Sequence, residues 1–321
     1  MSKVSVIMPA YNAELYVKKA IESILNQSYS DFELLICDDC STDDTFSIIQ
    51  SYRKLDSRIV IFKNDKNCGY LKTSNLLFTK ATGDYFIFQD ADDWSHSDRI
   101  NLLLSNLHEN NSDMVLSDFQ VTNESGAFIY DKKFSRELIQ DIKSNLFETG
   151  VTINSLFFKK KVYDVIGGYD QCFDRIGSED IHWFGLCLNQ GFRVSSVHKT
   201  IFFHRSNPYS FTKNVKNIKQ LYSKHLAYYM FKENINSGIN LERMEAVKNI
   251  DKKLNYLFTN TFLYYQEGMR VYGNLRKFSK KAIYNDLKEF NINYLKYLIN
   301  FIYYLISYYF FRNQTFYKIK E

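Results

Sequence analysis

Three carboxylates within four positions are the part of this sequence best suited to chemistry. Asp90, Asp92 and Asp93 follow Tyr85–Phe88, an apolar and aromatic run that predicts a strand buried on both faces. On an extended chain Asp90 and Asp92 project to the same side, where their charges repel each other unless a cation lies between them. A hard divalent ion suits such oxygen ligands. Because an isolated Asp-x-Asp is more often a solvated turn, the neighbouring segments must decide between the two interpretations.

Alternating strands and helices are predicted to position these carboxylates. Runs rich in β-formers lie at 4–8, 32–37 and 59–62, and segments of helical spacing lie at 15–26, from 44 or 45 onward, and at 71–80. The alternation predicts a parallel, doubly wound sheet. Ligands of such sheets bind outside the carboxyl ends of the strands. A second acidic pair, Asp38 and Asp39, follows the second run and is therefore expected at the same edge.

Short strands and helices continue to about residue 207. The predicted elements are a helix at 98–110, strands at 114–121 and 154–158, a turn at Gly126, and two strands at 193–197 and 200–204. Ser178, a residue type that favours helix N-termini, is expected to cap a further helix. Past Asn207 the sequence becomes helical, basic and rich in tyrosine, which predicts a domain boundary near residue 215.

Length and charge divide the chain in the same way. Its 321 residues can form one large domain and an extension. The net charge of +5 is uneven, because residues 1–215 carry −5 and residues 216–321 carry +10. The five cysteines lack framework spacing, and residues 1–3 lack the layout of a signal peptide. These features predict a cytoplasmic protein, and no nucleic-acid partner is expected.

The basic C-terminal region contains one uncharged stretch, residues 297–311, flanked by Lys296 and Arg312. It is shorter than the roughly 20 residues that span a bilayer. Two interpretations stay open: a helix lying on a membrane surface, or a buried helix in a bundle or homo-oligomer interface. The clustered positive charge favours the first, as a peripheral contact with the inner face of the plasma membrane.

Six short motifs occur in order across roughly residues 1–215. They are residues 4–12, residues 23–28, Asp38-Asp39 with residues 41–45, Gly83-Asp84-Tyr85, Asp90-Ala91-Asp92-Asp93, and Gly177-Ser178-Glu179-Asp180. In order and spacing they resemble the family-2 inverting glycosyltransferases of bacterial polysaccharide biosynthesis. The resemblance implies the GT-A fold, a Rossmann-like mixed sheet flanked by helices. It also implies a nucleotide-sugar-binding half at 1–110, an acceptor-binding half at 111–215, and a helical extension at 216–321.

The resemblance assigns a UDP-sugar to the first half. Pro9 and Tyr11 follow the first strand, and Tyr11 would lie along the uracil while Asp39 accepts its ring N–H. The alternative is that Tyr11 only packs and that Asp39 caps a helix. Asp90 and Asp92 would bind Mn²⁺ or Mg²⁺, or Asp90 the ribose, and the ion would neutralise the departing diphosphate. Many relatives have Arg before the residue aligned with Asn75, where this chain has Ser74.

Two further basic residues could serve the donor site. Lys72 could replace the charge of the missing arginine, and His204 could be a third metal ligand. For His204 the more frequent alternative is a histidine that only satisfies hydrogen bonds at a strand end.

The acceptor side requires a base, and the resemblance places Asp180 there. A carboxylate can take the proton of the attacking hydroxyl, while Glu179 faces another direction on a helix and would position the acceptor. Asp93 is expected to support the metal ligands. Trp94 and Trp183 are expected either to form walls for acceptor stacking or to belong to the core.

The implied function is transfer of a hexosyl or N-acetylhexosaminyl group, with inversion, from a UDP-sugar to a hydroxyl of a saccharide or lipid-linked glycan. The products would be surface polysaccharides such as capsule, lipopolysaccharide or teichoic acid. Two alternatives remain. One is a phosphatase-like hydrolase with Asp90 as nucleophile, and the other is a non-catalytic binding subunit with the same fold.

Overall fold

The computed structural model describes residues 3–147, 149–207, 223–224, 226–228 and 230–231. The strands in this part are β1 (Val4–Ala10), β2 (Phe32–Asp38), β3 (Ile59–Lys63), β4 (Tyr85–Phe88), β5 (Trp94–Ser95), β6 (Met114–Thr122), β7 (Phe128–Lys132), β8 (Leu156–Lys159) and β9 (Val194–Arg205). The helices are α1 (Val17–Leu25), α2 (Thr45–Leu55), α3 (Tyr70–Lys80), α4 (Arg99–Glu109), α5 (Arg136–Gln140), α6 (Lys160–Ile166) and α7 (Glu179–Asn189). Short 3₁₀ turns lie at Ile153–Ser155 and Gln171–Phe173.

The first half of the sheet is parallel, as the alternating pattern predicts. β1 pairs with β2 and β4, and β2 pairs with β3, all in parallel. Every residue of β1, β2 and β4 is buried, because helices cover both faces of a parallel sheet. The carboxyl ends of these strands therefore meet at one edge, from which the loops containing Tyr11, Asp39 and Asp90 emerge.

The second half makes the sheet mixed. The strand order is β3-β2-β1-β4-β8-β6-β9-β5, with β7 paired to β6. β8 runs antiparallel to β4 and β6, whereas β9 runs parallel to β6 and antiparallel to β5. The turn between β6 and β7 contains Gly126 with φ of 90°, which confirms the predicted turn. The simple doubly wound pattern thus holds only for β1 to β4.

Three local predictions are corrected. The two strands predicted at 193–197 and 200–204 are one strand, β9, whose pairing with β6 shifts register between Ser117 and Phe119. The predicted strand at 154–158 begins at Leu156, because Asn154 belongs to the preceding 3₁₀ turn. Ser178 precedes α7 but has a φ of 72° and makes no side-chain cap bond.

Two further predictions lie outside the described residues: the domain boundary near residue 215 and the uncharged stretch at 297–311. Among the residues that the structure describes, no helix is both long and apolar enough to cross a membrane.

Candidate active site

The loops after β1 and β2 lie side by side. Ala10 is opposite Asp38 in the parallel register, and the Asp39 N–H donates to the Ala10 carbonyl at 2.8 Å. The Asn12 side-chain oxygen accepts the Thr42 N–H at 2.9 Å and so ties the two loops together. Tyr11 is 48% exposed beside this junction. An exposed aromatic ring therefore lies next to a buried carboxylate, as a site for a planar base requires.

Asp39 holds the loop that leads into α3. Its Oδ1 accepts from the Asn64 side chain at 2.7 Å and from the Cys68 N–H at 2.8 Å, and its Oδ2 accepts from the Gly69 N–H at 2.8 Å. A carboxylate offers about four acceptor positions, so one remains on Oδ2 for a further donor. Gly69 is the N-cap residue of α3, so the alternative that Asp39 caps a helix stays open beside the predicted contact with the base.

The three carboxylates of the acidic stretch converge. Asp90, Asp92 and Asp93 each offer an oxygen, and these oxygens lie within 4.8 Å of one another. Asp93 is buried and joined to β9: its Oδ1 accepts the Arg205 N–H at 2.7 Å, and its Oδ2 lies 3.2 Å from His204 Nδ1. Asp93 therefore fixes the cluster to the sheet, while Asp90 and Asp92 are partly exposed.

Asp90 is held from two sides. The Asn154 side-chain amide donates to Oδ2, and the Tyr70 hydroxyl donates to Oδ1 at 3.2 Å. Below them lies Arg99, fully buried, whose guanidinium donates to the Asn154 carbonyl and to Gln89. Burial lowers the pKa of the Arg99 guanidinium, and its attraction to Asp93 and Asp90 opposes that shift.

The protonation of the cluster shows how well it suits a divalent cation. Burial, followed by repulsion from Asp93 and Asp92, raises the pKa of Asp90 to about 7. Burial and Asp93 raise the pKa of Asp92 to about 6. A doubly charged ion held by these oxygens would relieve that repulsion, and carboxylate oxygens are the ligands that Mn²⁺ and Mg²⁺ prefer. The donor set therefore fits such an ion.

His204 carries a positive charge in this arrangement. Burial disfavours the charge, but the hydrogen bond to Asp93 and the attraction of the acidic cluster outweigh burial and raise the pKa of His204 to about 9. A bound cation would act in the opposite direction, because its positive charge disfavours a protonated imidazole beside it. The hydrogen bond thus identifies His204 as a partner of the Asp93 carboxylate, and the role of His204 as a third metal ligand stays a prediction.

A second carboxylate pair begins α7. Gly177 and Ser178 both have positive φ, at 85° and 72°, and they turn the chain so that Glu179 and Asp180 form the first turn of the helix. Asp180 Oδ1 accepts the Ile181 N–H at 2.7 Å; burial raises the pKa of Asp180, and the backbone groups of Ile181 and Ile153 oppose that shift. Burial, and then repulsion from Asp180, raises the pKa of Glu179 to about 8. Asp180 is thus the member of the pair that backbone donors stabilise as an anion.

The family model "Glycosyl transferase family 2" matches residues 5–166, slightly more than half of the chain. The chain belongs to glycosyltransferase family 2. Among curated relatives, the putative teichuronic acid biosynthesis glycosyltransferase TuaG of Bacillus subtilis is 35% identical over 123 residues, which are 38% of this chain and 49% of TuaG. The aligned parts span half or less of the first curated relatives.

Two solved structures share the fold of this family-2 glycosyltransferase. Staphylococcus aureus TarS 1-349 in complex with UDP-GlcNAc has a TM-score of 0.60 at 18% identity, and the match covers 89% of this chain and 79% of that one. The mannosyltransferase PcManGT of Pyrobaculum calidifontis, in complex with GDP-Man and Mn²⁺, has a TM-score of 0.54 at 19% identity, covering 71% and 64%. The predicted GT-A fold, a mixed sheet flanked by helices, is confirmed.

In this family-2 glycosyltransferase the residues predicted for the donor site lie in surroundings that differ from one residue to the next. Pro9 is buried within β1, opposite Cys37, and so lies beneath the loops instead of within them. Lys72 is 46% exposed and forms a 2.5 Å ion pair with Asp174, so its charge is already shared. Ser74, where many relatives have arginine, is fully buried on α3. The structure thus gives no support for Lys72 as a direct substitute for that arginine.

The two tryptophans differ in exposure. Trp183 is fully buried, and its indole N–H donates to the Gly167 carbonyl at 2.8 Å. It packs among the aromatic rings of the core, so of the two alternatives predicted for Trp183 the structure supports the core position and not a wall of the acceptor site. Trp94 is partly exposed in β5, stacked on Phe203 at 5.3 Å with Lys19 3.3 Å from its ring centre. Trp94 therefore stays a candidate surface for the acceptor.

Sequence patterns missed the residues that join these parts. Asn154, Tyr70, Asn75 and Arg99 act through contacts between distant segments. Asn75 is an example, since its side chain accepts the Tyr169 N–H at 2.7 Å and donates to the Tyr169 carbonyl at 2.8 Å. The sequence shows Asn75 within a predicted helix, Gly168-Tyr169 in a predicted loop and Arg99 shortly after the acidic stretch. None of these positions indicates which residue the side chain contacts.

Proposed function

We propose that this chain transfers a sugar from a UDP-sugar to a hydroxyl of a saccharide or lipid-linked glycan, with inversion and with the help of Mn²⁺ or Mg²⁺. The likeness to TarS in complex with UDP-GlcNAc and to PcManGT in complex with GDP-Man and Mn²⁺ supports a nucleotide-sugar donor. The exposed ring of Tyr11 and the remaining acceptor position of Asp39 support uracil as the base.

The observation that carries the proposal is a single turn that contacts both reactive ends. In the turn Ile153–Ser155, the Asn154 side chain donates to Asp90, and the neighbouring Ile153 backbone is close enough to Asp180 to lower the pKa of that carboxyl group. The turn therefore lies near both the carboxylates suited to the diphosphate and the carboxylate suited to the acceptor. Direct displacement with inversion needs such an arrangement, because the leaving group and the nucleophile occupy opposite faces of the sugar.

The chain's own groups then have defined roles. Tyr11 and Asp39 bind the base, and Asp90 and Asp92 hold the ion, which supplies Lewis-acid stabilisation to the leaving diphosphate. The Asp180 carboxylate takes the acceptor's hydroxyl proton as the new carbon–oxygen bond forms and the bond to phosphate breaks. Glu179, neutral at pH 7 because of its raised pKa, can donate a hydrogen bond to the acceptor without competing for that proton.

The proposed class of acceptor is supported by the name of a curated relative. TuaG is named for teichuronic acid biosynthesis, which supports a role in surface polysaccharide synthesis with a hexosyl or N-acetylhexosaminyl donor. Peripheral contact with the inner face of the plasma membrane through residues 216–321, or a homo-oligomer, stays a prediction. Removal of the chain after Ile283 would release the protein from a membrane fraction under the first hypothesis and change its oligomeric state under the second.

A screen of nucleotide sugars with Mn²⁺, monitoring UDP release with and without a panel of saccharide acceptors, tests the function. We expect release that depends on one UDP-sugar, on the ion and on an acceptor. Hydrolysis of simple phosphate esters without a nucleotide sugar would instead favour the phosphatase-like alternative with Asp90 as nucleophile. Binding of UDP-sugar without turnover under all conditions would favour a non-catalytic subunit.

A further inference from the structure

Two buried polar atoms of the candidate site have no hydrogen-bond partner within the described residues: the Tyr169 hydroxyl and the side-chain oxygen of Asn154, whose amide donates to Asp90. Their residues are only 3% and 4% exposed. A buried polar group without a partner destabilises a fold by roughly 1–3 kcal/mol, and most buried groups avoid this. Two such atoms in one region of the candidate site indicate that the partner is a ligand.

Both atoms are held firmly in place. The Asn154 amide must direct its NH₂ toward the Asp90 carboxylate, which leaves its oxygen as the unpaired acceptor. The Tyr169 backbone is fixed by two hydrogen bonds to Asn75. Its ring packs against Phe78 and Phe88 with centroid distances of 5.7 and 6.1 Å. Neither side chain can reorient freely to find another partner.

The pair lies between the two reactive ends. Asn154 donates to Asp90 directly, and the backbone of the residue before it is near enough to Asp180 to lower the pKa of that carboxyl group. The Tyr169 hydroxyl experiences the charges of Asp180, Glu179 and Asp90, and these add to burial in raising the pKa of that hydroxyl well above its ordinary value. In a displacement between Asp90 and Asp180, the transferred sugar must occupy the space between those carboxylates.

We infer that Tyr169 and Asn154 form a subsite for one hydroxyl group of the transferred sugar, and that this pair contributes to the choice of donor. A sugar hydroxyl is both donor and acceptor, so it can accept from Tyr169 while donating to Asn154. Tyr70, which bonds the same carboxylate as Asn154 at 3.2 Å and is 37% exposed, is the solvent-facing side chain at this position. This inference rests on the proposed function.

Titration calorimetry of UDP and of UDP-glucose, UDP-galactose and UDP-N-acetylglucosamine, each with Mn²⁺, tests the subsite. The quantity compared is the gain in affinity of the best UDP-sugar over UDP. Tyr169→Phe removes only the hydroxyl, and we expect it to reduce that gain by about 3- to 10-fold, the worth of one hydrogen bond, with UDP affinity unchanged. Tyr163→Phe, in a ring stacked on Phe78 at 4.9 Å, is the matched control and should change neither value.

Thermal stability distinguishes a ligand contact from a structural one. Because the Tyr169 hydroxyl has no partner, Tyr169→Phe should leave the Tm unchanged or raise it, whereas loss of a structural hydrogen bond would lower it. A lower Tm, or a full sugar-dependent gain in affinity with Tyr169→Phe, would overturn the subsite while leaving the proposed function intact. Failure of the parent protein to bind UDP or any UDP-sugar would overturn both.

Donors that lack one hydroxyl identify the group that is bound. Deoxy analogues of the best UDP-sugar should include one whose affinity falls by more than the factor seen with Tyr169→Phe, because it loses the bond to Asn154 as well. Combined with that variant, this analogue should lose less than the product of the two separate factors, as a double-mutant cycle requires for two interacting partners. Additive losses for every analogue would contradict the assignment.

Discussion

Asp180 and Glu179 are adjacent carboxylates whose surroundings separate their protonation. The backbone groups of Ile181 and Ile153 favour the Asp180 anion. In contrast, burial and the charge of Asp180 raise the pKa of Glu179 to about 8. Asp180→Asn should therefore lower the transfer rate by roughly 10²- to 10⁴-fold, the usual cost of losing a general base, with UDP and Mn²⁺ binding nearly unchanged. Rates at saturating donor, paired with UDP affinities, provide the measurement.

Glu179→Gln is the matched control, and we expect a smaller loss because a neutral amide resembles the protonated acid. Near-normal transfer by Asp180→Asn would assign the base to another residue. A joint fall of affinity and rate would instead assign Asp180 to donor binding or folding.

The pH dependence of transfer follows from the same carboxylate. A base acts only when deprotonated, so the rate should fall as the pH falls through the pKa of Asp180. Burial raises that pKa above the ordinary aspartate value of about 3.9, which puts the acid limb of the rate profile above that pH. An acid limb at or below the ordinary value, in a profile of rate at saturating donor, would contradict this assignment.

Asp92 is the carboxylate of the cluster with most access to a ligand ion, since Asp93 is committed to β9 and Asp90 to Asn154 and Tyr70. Asp92→Asn should remove the increase in UDP affinity that Mn²⁺ produces, because an amide attracts a cation far less than a carboxylate does. Calorimetry of UDP with and without Mn²⁺ measures it. The exposed Asp131→Asn removes the same charge elsewhere and should keep the increase, and equal Mn²⁺ effects in Asp92→Asn and parent would refute the metal assignment.

Among the elements, α3 and the segment between α6 and α7 are joined by one side chain. Asn75 satisfies both the N–H and the carbonyl of Tyr169, and a Cβ on Gly168 would lie only 2.4 Å from the Asn75 oxygen. Asn75→Ala leaves two buried backbone groups unpaired, and we expect the free energy of unfolding to fall by about 1–3 kcal/mol. Urea denaturation measures this. Asn101→Ala, which loses only a surface bond to Ser28, should change it by less than about 0.5 kcal/mol, and equal effects would show that the two bonds to Tyr169 contribute little.

Elements that bury a continuous apolar run could be predicted from the sequence, and elements defined by distant partners could not. The apolar composition of β1, β2 and β4 predicts these strands. The spacing of the carboxylates after β4 predicts that their side chains lie close together. β9 was predicted as two strands because the exposed His198 and Lys199 interrupt its apolar residues. Its continuity depends on pairing with β6, including a register shift that no local pattern encodes. Asn154 was hidden for the same reason, since it contacts Asp90 across 64 positions of the chain.

For the whole molecule, the base of the parallel half depends on Glu33. Its carboxylate accepts from Lys3 at 2.7 Å, from Ser5 at 2.6 Å and from the Thr82 N–H at 2.7 Å, joining β1, β2 and the turn before β4. Burial opposes its ionisation, but these donors outweigh burial and lower the pKa of Glu33. The stabilisation is therefore present above the ordinary glutamate value of about 4.3 and is lost as the pH falls through the lower, folded-state pKa.

Glu33→Gln should destabilise the protein at pH 7, where the parent has the ionised carboxylate. Below about pH 4.3 the free energy of unfolding should fall less in the variant than in the parent. Urea unfolding at pH 7, 5 and 4 measures both effects. The exposed Glu109→Gln is the control and should follow the parent at each pH. An acid-induced loss of the same size in Glu33→Gln as in the parent would exclude Glu33 as a source of acid sensitivity.

The partners of Asp93 are His204 and Arg205, 111 and 112 positions later in the chain. During translation, β1 to β4 and their helices leave the ribosome well before β9 exists. The nascent protein can thus assemble the edge that carries Tyr11 and Asp39 early, while the acidic stretch acquires its contacts with β9 only after that strand has been made. Long-range pairing of this kind is slow. Catalytic competence should consequently appear later during biosynthesis than compactness, with the metal ligands among the last groups to reach their final positions.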